Sequence, residues 1–289
     1  MKRIKSFAKI NLGLEVISKR EDGYHNIKTI FQTIDFYDVL KFKTIDQERI
    51  VLRGNHKSIA WDESNLIFKA AALLRQEFRP SSGIEIWVEK NIPPGAGLGG
   101  GSANAAMTLL GLDAIWGLHL EKKALVDMGR MLGADVPFFL EGGACLGVGR
   151  GDEIIPLPDL PHHFCVLALP SFSISTASVY SRFPSFLTSD NKESKIDRFL
   201  EERRIGILEN QLEEIVFSSY PLLKAIKHIF QSQGAELSLV SGTGAGVFGL
   251  FRERERAEKA LEEIKRNHRA LVVETLSREQ YRKSSYFGV

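Results

Sequence analysis

Residues 93–106 read PPGAGLGGGSANAA, and five of the seven positions Gly95–Gly101 are glycine. The preceding run IEIWVEK (84–90) alternates apolar and polar residues, the period of a strand, and ends at Pro93-Pro94. Ser102 opens an Ala-rich segment, apolar all round, that reaches Trp116 and predicts a buried helix. Glycines let backbone N–H groups approach an anion closely, and a helix starting at Ser102 aims its partial positive end at the same spot. A tight buried turn before a core helix is the plainer alternative. Five glycines in seven residues exceed what such a turn requires.

Gly95, Gly97 and Gly100 formally match a G-x-G-x-x-G fingerprint, but two helical segments follow where a dinucleotide fold needs a strand carrying an acid. No Lys precedes Ser102 directly, which excludes a Walker A loop, and the protein-kinase motif set is absent. A second glycine loop, Gly242–Gly246, runs into the apolar, strand-like Val247–Phe251, so a Gly-rich hairpin fits it better than a dinucleotide turn.

Outward from the loop, Ala8, Ile10, Leu12, Leu14 and Val16 alternate with Lys9, Asn11, Gly13 and Glu15, predicting a half-buried strand. Lys9 and Asn11 then project from one face about 6.6 Å apart, a spacing that suits one small substrate and equally an ordinary solvated edge. Asp22-Gly23 marks a turn into a strand near Ile27–Ile34. Helices are expected at 65–78, with Ser64 or Asn65 as cap, and at 121–132, stopping at Gly133. Strand-like GGACLGVG leads to Asp152. Beyond the Pro cluster of 156–161, the candidate domain boundary, come a strand at 164–169, a Ser-rich loop at 171–178, and helices near 196–203, 207–217 and 220–233. Strands at 236–240, 247–251 and 270–275 and a charged helix at 253–267 complete the pattern. Without regular βαβ repetition the class is α+β.

A chain of 289 residues buries roughly 75% of its unfolded surface and needs no disulfide or metal staple. Its 44% hydrophobic and 26% charged residues are ordinary for a globular protein. Thirty-eight Lys+Arg against 36 Asp+Glu leave a net charge of +2, so no strong field points to nucleic acid or a membrane surface. The two uncharged stretches 91–112 and 160–181 contain Pro and several Gly or Ser and do not read as membrane spans. Cys145 and Cys165 sit in apolar runs; a reduced cytoplasmic protein is the expectation, with one disulfide as the alternative. His162-His163 lacks partners at metal spacing.

Five blocks together resemble the GHMP kinase superfamily, the galactose, homoserine, mevalonate and phosphomevalonate kinases: AKINLGLEV (8–16), DGYH (22–25), the glycine loop, LGADVPFFL (132–140) and SGTGAGVFGLF (241–251). The loop fits the superfamily signature Pro-x-x-x-Gly-Leu-Gly-x-x-Ser. The first four blocks match best the branch that acts on a cytidyl diphosphate substrate in non-mevalonate isoprenoid synthesis. The resemblance implies a ribosomal-protein-S5-like N-terminal domain (1–155) and a ferredoxin-like C-terminal domain (156–289). It implies ATP with Mg²⁺, γ-phosphoryl transfer to a hydroxyl of a methylerythritol moiety, and a monomer or homodimer.

Residue by residue, the resemblance makes Asp135 the acceptor of the hydroxyl proton. Lys9 would hold that carboxylate charged and orient the hydroxyl. ATP would lie on Pro93, Pro94, Gly95, Ala96, Gly97, Leu98, Gly99, Gly100, Gly101, Ser102 and Ala103, with Asn65, Leu66 and Lys90 lining the adenine pocket. Asn65 as a helix cap and Lys90 as a strand-end charge remain open. Ala103 stands where the family has a second Ser, and Ser102 is a candidate metal contact. Asn11, Tyr24, His25, Thr176, Tyr180 and Gly242 would meet the substrate, with Tyr24 and His25 recognising cytosine; on type alone these two are a partly buried Tyr and a surface His. Tyr180 replaces the family's usual Phe.

Overall fold

The N-terminal alternating segment forms β1 (Lys2–Lys19), which pairs antiparallel with β2 (His25–Ile45). Gly23, at φ +84°, makes the turn between them. The computed structural model describes residues 1–183 and 193–285. β2 is the spine of a mixed sheet. Its first half pairs β5 (Ala144–Val148), its second half pairs β4 (Gly83–Glu89), and β6 (Glu153–Pro156) and β3 (Ile50–Gly54) form the flanks. Helices α1 (Leu66–Phe78), α2 (Gly100–Trp116), α3 (Lys122–Leu132) and α4 (Val136–Glu141) pack with this sheet around one core.

α2 has nine buried residues, and six of them, among them Ala103, Ala106 and Leu109, belong to that core, in keeping with its all-round apolar sequence. Close packing forbids a side chain at Gly111: a Cβ there would stand 2.9 Å from Ile4 and 3.0 Å from Phe42.

After Pro156 the chain builds an antiparallel sheet, in the order β10-β7-β9-β8, from β7 (Phe164–Leu169), β8 (Leu237–Val240), β9 (Val247–Phe251) and β10 (Arg269–Glu274). α5 (Thr176–Tyr180), α6 (Lys195–Glu202), α7 (Glu213–Ser219) and α8 (Pro221–Ser232) lie between β7 and β8, and α9 (Arg254–Lys265) between β9 and β10. The succession is β-α-β-β-α-β, a ferredoxin-like topology. The α+β expectation holds.

Four local expectations change. The strand at 8–16 is buried on both faces: Lys9, Asn11 and Glu15 are each at most 5% exposed because the glycine loop and Asp135, together with the C-terminal half, cover the polar face. Glu15, for example, accepts from Ser194 Oγ and the Ile196 N–H at the start of α6. The helix expected at 207–217 is broken. A 3-10 turn (Ile205–Ile207) precedes Asn210, which bridges to Leu14, and α7 starts only at Glu213. The Ser-rich loop contains α5, capped by Ser175. α10 (Arg278–Ser285), absent from the sequence reading, returns to the first core, where Tyr281 is buried and its hydroxyl donates to the Phe139 carbonyl. Cys145 and Cys165 are both free and buried.

Candidate active site

β1 and the turn between α3 and α4 bring together the two residues on which the chemistry would depend. Lys9 lies mid-strand, and its backbone N–H donates to the Leu98 carbonyl, fastening β1 to the glycine loop. Its Nζ donates to Asn11 Oδ1 at 2.5 Å and to the Gly97 carbonyl at 2.9 Å, and stands 3.6 Å from Asp135 Oδ2. Asn11 Nδ2 donates in turn to Thr29 Oγ1, and that hydroxyl donates to the Gly13 carbonyl. Lys9 is therefore held by a chain of hydrogen bonds.

Asp135 precedes α4, whose second residue is Pro137, with the chain leaving α3 at Gly133. Its carboxylate is 35% exposed, against 5% for the Lys9 side chain. The carboxylate thus lies beside a buried ammonium while remaining partly open to the adjoining cavity, the arrangement a proton acceptor needs.

Two cavities adjoin here. The larger, about 1140 Å³, is lined by Lys9, Asp135, Asn11, Tyr24, His25, Thr176, Tyr180 and Gly242, so every expected catalytic and substrate residue borders one space. The smaller, about 350 Å³, is a groove along Asn65, Leu66, Lys90 and the loop from Pro93 to Ser102. Gly97 and Gly99 border both.

The loop's shape follows from its glycines. Gly99 caps α2 at φ +68° with no side-chain cap bond, leaving the first N–H groups of a 17-residue helix directed at the groove. The second glycine loop clasps the first: the N–H groups of Ala245 and Gly246 donate to the carbonyls of Gly95 and Ala96, and Ser241 Oγ donates to that of Gly97. A Cβ at Gly97 would fall 2.0 Å from the Ser241 carbonyl.

Of the expected ATP residues, Ala103 stands outside the groove, and Asn65 and Lys90 border it while bonded within the fold. Ala103 borders neither cavity; it is 1% exposed in the first core, because the helix turns that position inward. Asn65 borders the groove but caps α1, accepting from Ile67 N and donating to the Ala60 carbonyl. Lys90 borders it too, with its Nζ committed to Asp38 and the Ile92 carbonyl. Burial pushes the pKa of Lys90 down, with Asp38 pulling the other way. Trp61 and Ile59 also line the groove and were missed, lying in a loop of no periodicity.

The aromatic residues of the large cavity differ in exposure and in partner. Tyr180 stacks on His25 with ring centroids 5.1 Å apart, while Tyr24 is 57% exposed with the Arg150 guanidinium 5.4 Å from its ring. Burial raises the pKa of the Tyr180 hydroxyl and the Asp135 charge adds to the rise; burial lowers that of His25, helped by Lys19. Thr176 Oγ1 is 3.1 Å from Thr243 Oγ1, joining α5 to the second glycine loop. Arg150 and Thr243 also line the cavity: Arg150 carries no local pattern in the sequence, and Thr243 sits within the second glycine loop beside the expected Gly242. His162 and His163 pair with Glu274 and Glu236. No cluster of three His, Cys, Asp or Glu residues that could hold a metal occurs among the described residues.

Residues 65–143 match the GHMP kinases N terminal domain model and residues 194–270 the GHMP kinases C terminal model. The chain is 38% identical over 270 residues to 4-diphosphocytidyl-2-C-methyl-D-erythritol kinase of Caldicellulosiruptor bescii, covering 91% of this chain and 94% of the relative. It is 36% identical over 277 residues to the kinase of that name from Clostridioides difficile, covering 94% of each. A solved structure of 4-(cytidine 5'-diphospho)-2C-methyl-D-erythritol kinase superposes with a TM-score of 0.82 at 32% identity, covering 94% of this chain and 98% of the other. With glycine loop, cavities and paired Lys9 and Asp135 in one arrangement, the chain belongs to the GHMP kinases, in the family of the 4-diphosphocytidyl-2-C-methyl-D-erythritol kinases.

Proposed function

We propose that this chain transfers the γ-phosphoryl group of ATP to the 2-hydroxyl of 4-diphosphocytidyl-2-C-methyl-D-erythritol, a step of non-mevalonate isoprenoid precursor synthesis. The observation that carries the reading is the junction of the two cavities at Gly97 and Gly99, with Lys9 and Asp135 beside it. ATP takes the groove, its phosphates against the uncapped start of α2. The polyol takes the large cavity, its hydroxyl at Asp135 and its cytosine toward Tyr24, His25 and Tyr180.

Phosphoryl transfer asks mainly for positioning and charge stabilisation. Asp135 accepts the proton as the hydroxyl oxygen attacks the γ-phosphorus in line. Lys9, fixed by Asn11 and Gly97, supplies positive charge where the transferring group becomes most negative. Mg²⁺, when bound with ATP, would supply charge neutralisation at the phosphates. Ser102, whose hydroxyl stands in the first turn of α2 and borders the groove, is the residue that would hold it.

The same interpretation assigns residues 1–155 to the nucleotide-binding domain and 156–289 to the second domain, since the first sheet ends at Pro156 and the second begins at Phe164. The deciding experiment is ADP release with the cytidyl substrate beside homoserine and mevalonate. Release with the cytidyl compound alone supports the proposal, release with another acceptor moves the chain to a different branch, and binding without release makes it a sensor.

A further inference from the structure

Asp38 is fully buried on β2 and borders neither cavity, yet it accepts hydrogen bonds from four donors. One carboxylate oxygen takes the backbone N–H groups of Asn91 (2.7 Å) and Ile92 (2.9 Å), the two residues that lead into the glycine loop. The other takes Lys90 Nζ (2.6 Å) and Asn104 Nδ2 (3.0 Å). Lys90 Nζ donates in addition to the Ile92 carbonyl, and a Cβ at Gly100 would stand 3.0 Å from that Nζ. One carboxylate thus ties the central strand to the end of β4, to the entry of the loop and to the first turns of α2.

A buried charge pair is a costly way to gain stability, because desolvation offsets most of the attraction. Its distinctive capacity is to fix geometry, and the geometry fixed here is that of the groove wall.

We propose that Asp38 is a positioning residue for ATP, acting with Lys90 as a strut that holds the glycine loop and the start of α2 in register. The inference rests on the reading that the groove holds ATP. Lys90 borders the groove, but its ammonium serves this strut. The large cavity shares only Gly97 and Gly99 with the groove and is otherwise walled by residues outside the strut, on β1, α5 and the second glycine loop, so loss of the strut is felt chiefly by ATP and little by the acceptor substrate.

The test compares Asp38→Asn, Lys90→Met and the double variant with wild type in KM for ATP, KM for the cytidyl substrate, kcat and thermal unfolding. Misplacing a binding wall by about an ångström costs up to roughly 100-fold, so KM for ATP is expected to rise about 10- to 100-fold in each single variant, with KM for the cytidyl substrate within about twofold. Because the pair acts as a unit, the double variant should be no worse than the more damaged single one. Should Asp38→Asn fail to fold around an unpaired Lys90, the double variant, with no lone buried charge, carries the measurement. A wild-type KM for ATP in a folded variant, an equal rise in both KM values, or single effects that multiply in the double variant would each overturn the strut. Wild-type turnover is read in the same series: an enzyme showing no ATP-dependent turnover would overturn the kinase reading itself.

Discussion

Lys9 and Asp135 meet across 126 residues of sequence, Nζ to Oδ2 at 3.6 Å, and the same ammonium donates to the carbonyl of Gly97. That glycine borders both cavities, so one cation touches the proton acceptor, the strand that carries it and the phosphate loop. Asp135→Asn keeps the shape and removes the acceptor. We expect kcat to fall roughly 10²–10⁴-fold with substrate KM little changed. Lys9→Met should fall comparably, and the double variant should lie far from the product of the two. Steady-state kinetics decide it; more than about half of wild-type kcat in Asp135→Asn would remove Asp135 from its role.

The glycine loop separates two reasons for lacking a side chain. At Gly99 the backbone is left-handed and a Cβ would meet Phe139 at 2.7 Å, so Gly99→Val strains the fold before any phosphate is considered. At Gly101 a Cβ finds only Leu66, at 3.9 Å. Gly101→Val should therefore fold normally and lose at least about tenfold in ATP affinity, because its side chain occupies the space the phosphates use. Thermal unfolding and ATP titration of both variants check the contrast. Wild-type ATP affinity in folded Gly101→Val would detach the phosphates from this loop.

The alternation of residues 8–16 was enough to find β1, and the run of glycines enough to find the loop-to-helix passage, since both signals are local. What surrounds Lys9 and Asn11 is set by tertiary pairing, from Thr29, Gly97 and Asp135 to Gly242 of the second glycine loop, and no periodicity announces it. α10 escaped for a related reason: its charges suggest a solvated tail, while Arg278 and Arg282 in fact pair with the buried Glu141. The expected substrate residues all reach the large cavity. Asp38 could not be read, being one acid among 36 in a strand whose neighbours are set by tertiary pairing.

His163 offers a test of the second sheet's stability. It is 1% exposed and shares Nε2 with Glu236 Oε2 at 3.0 Å. Burial lowers its pKa below the usual 6.5, Arg252 lowers it further, and Glu236 opposes the shift. The unfolded chain therefore takes up its proton first as pH falls, so His163 stabilises the fold above about pH 6.5 and that contribution is lost below it. His163→Gln should flatten the decline of Tm from about pH 7.5 to about pH 5.5 by on the order of 1–3 °C. Parallel Tm profiles for the two proteins would exclude this contribution.

Substrate choice should reside at Tyr24. Its ring is 57% exposed at the mouth of the large cavity, beside Arg150, whereas the Tyr180 ring is stacked on His25. A base entering this end has the open Tyr24 face available at once and gains Tyr180 only where His25 yields its place. Stacking on an aromatic ring contributes on the order of 1–3 kcal/mol, which corresponds to about 5- to 150-fold in affinity. Tyr24→Ala should thus raise KM for the cytidyl substrate about 5- to 150-fold. ATP, held across the junction in the other cavity, should bind unchanged. A site that hydrogen-bonds one base leaves buried polar groups unpaired when another arrives, so discrimination between bases should be steep. The uridine analogue should accordingly be a poor substrate for the wild type. Equal kcat/KM for the cytidine and uridine compounds would show that no base is read, and the Tyr24 end of the cavity would then serve the diphosphate alone.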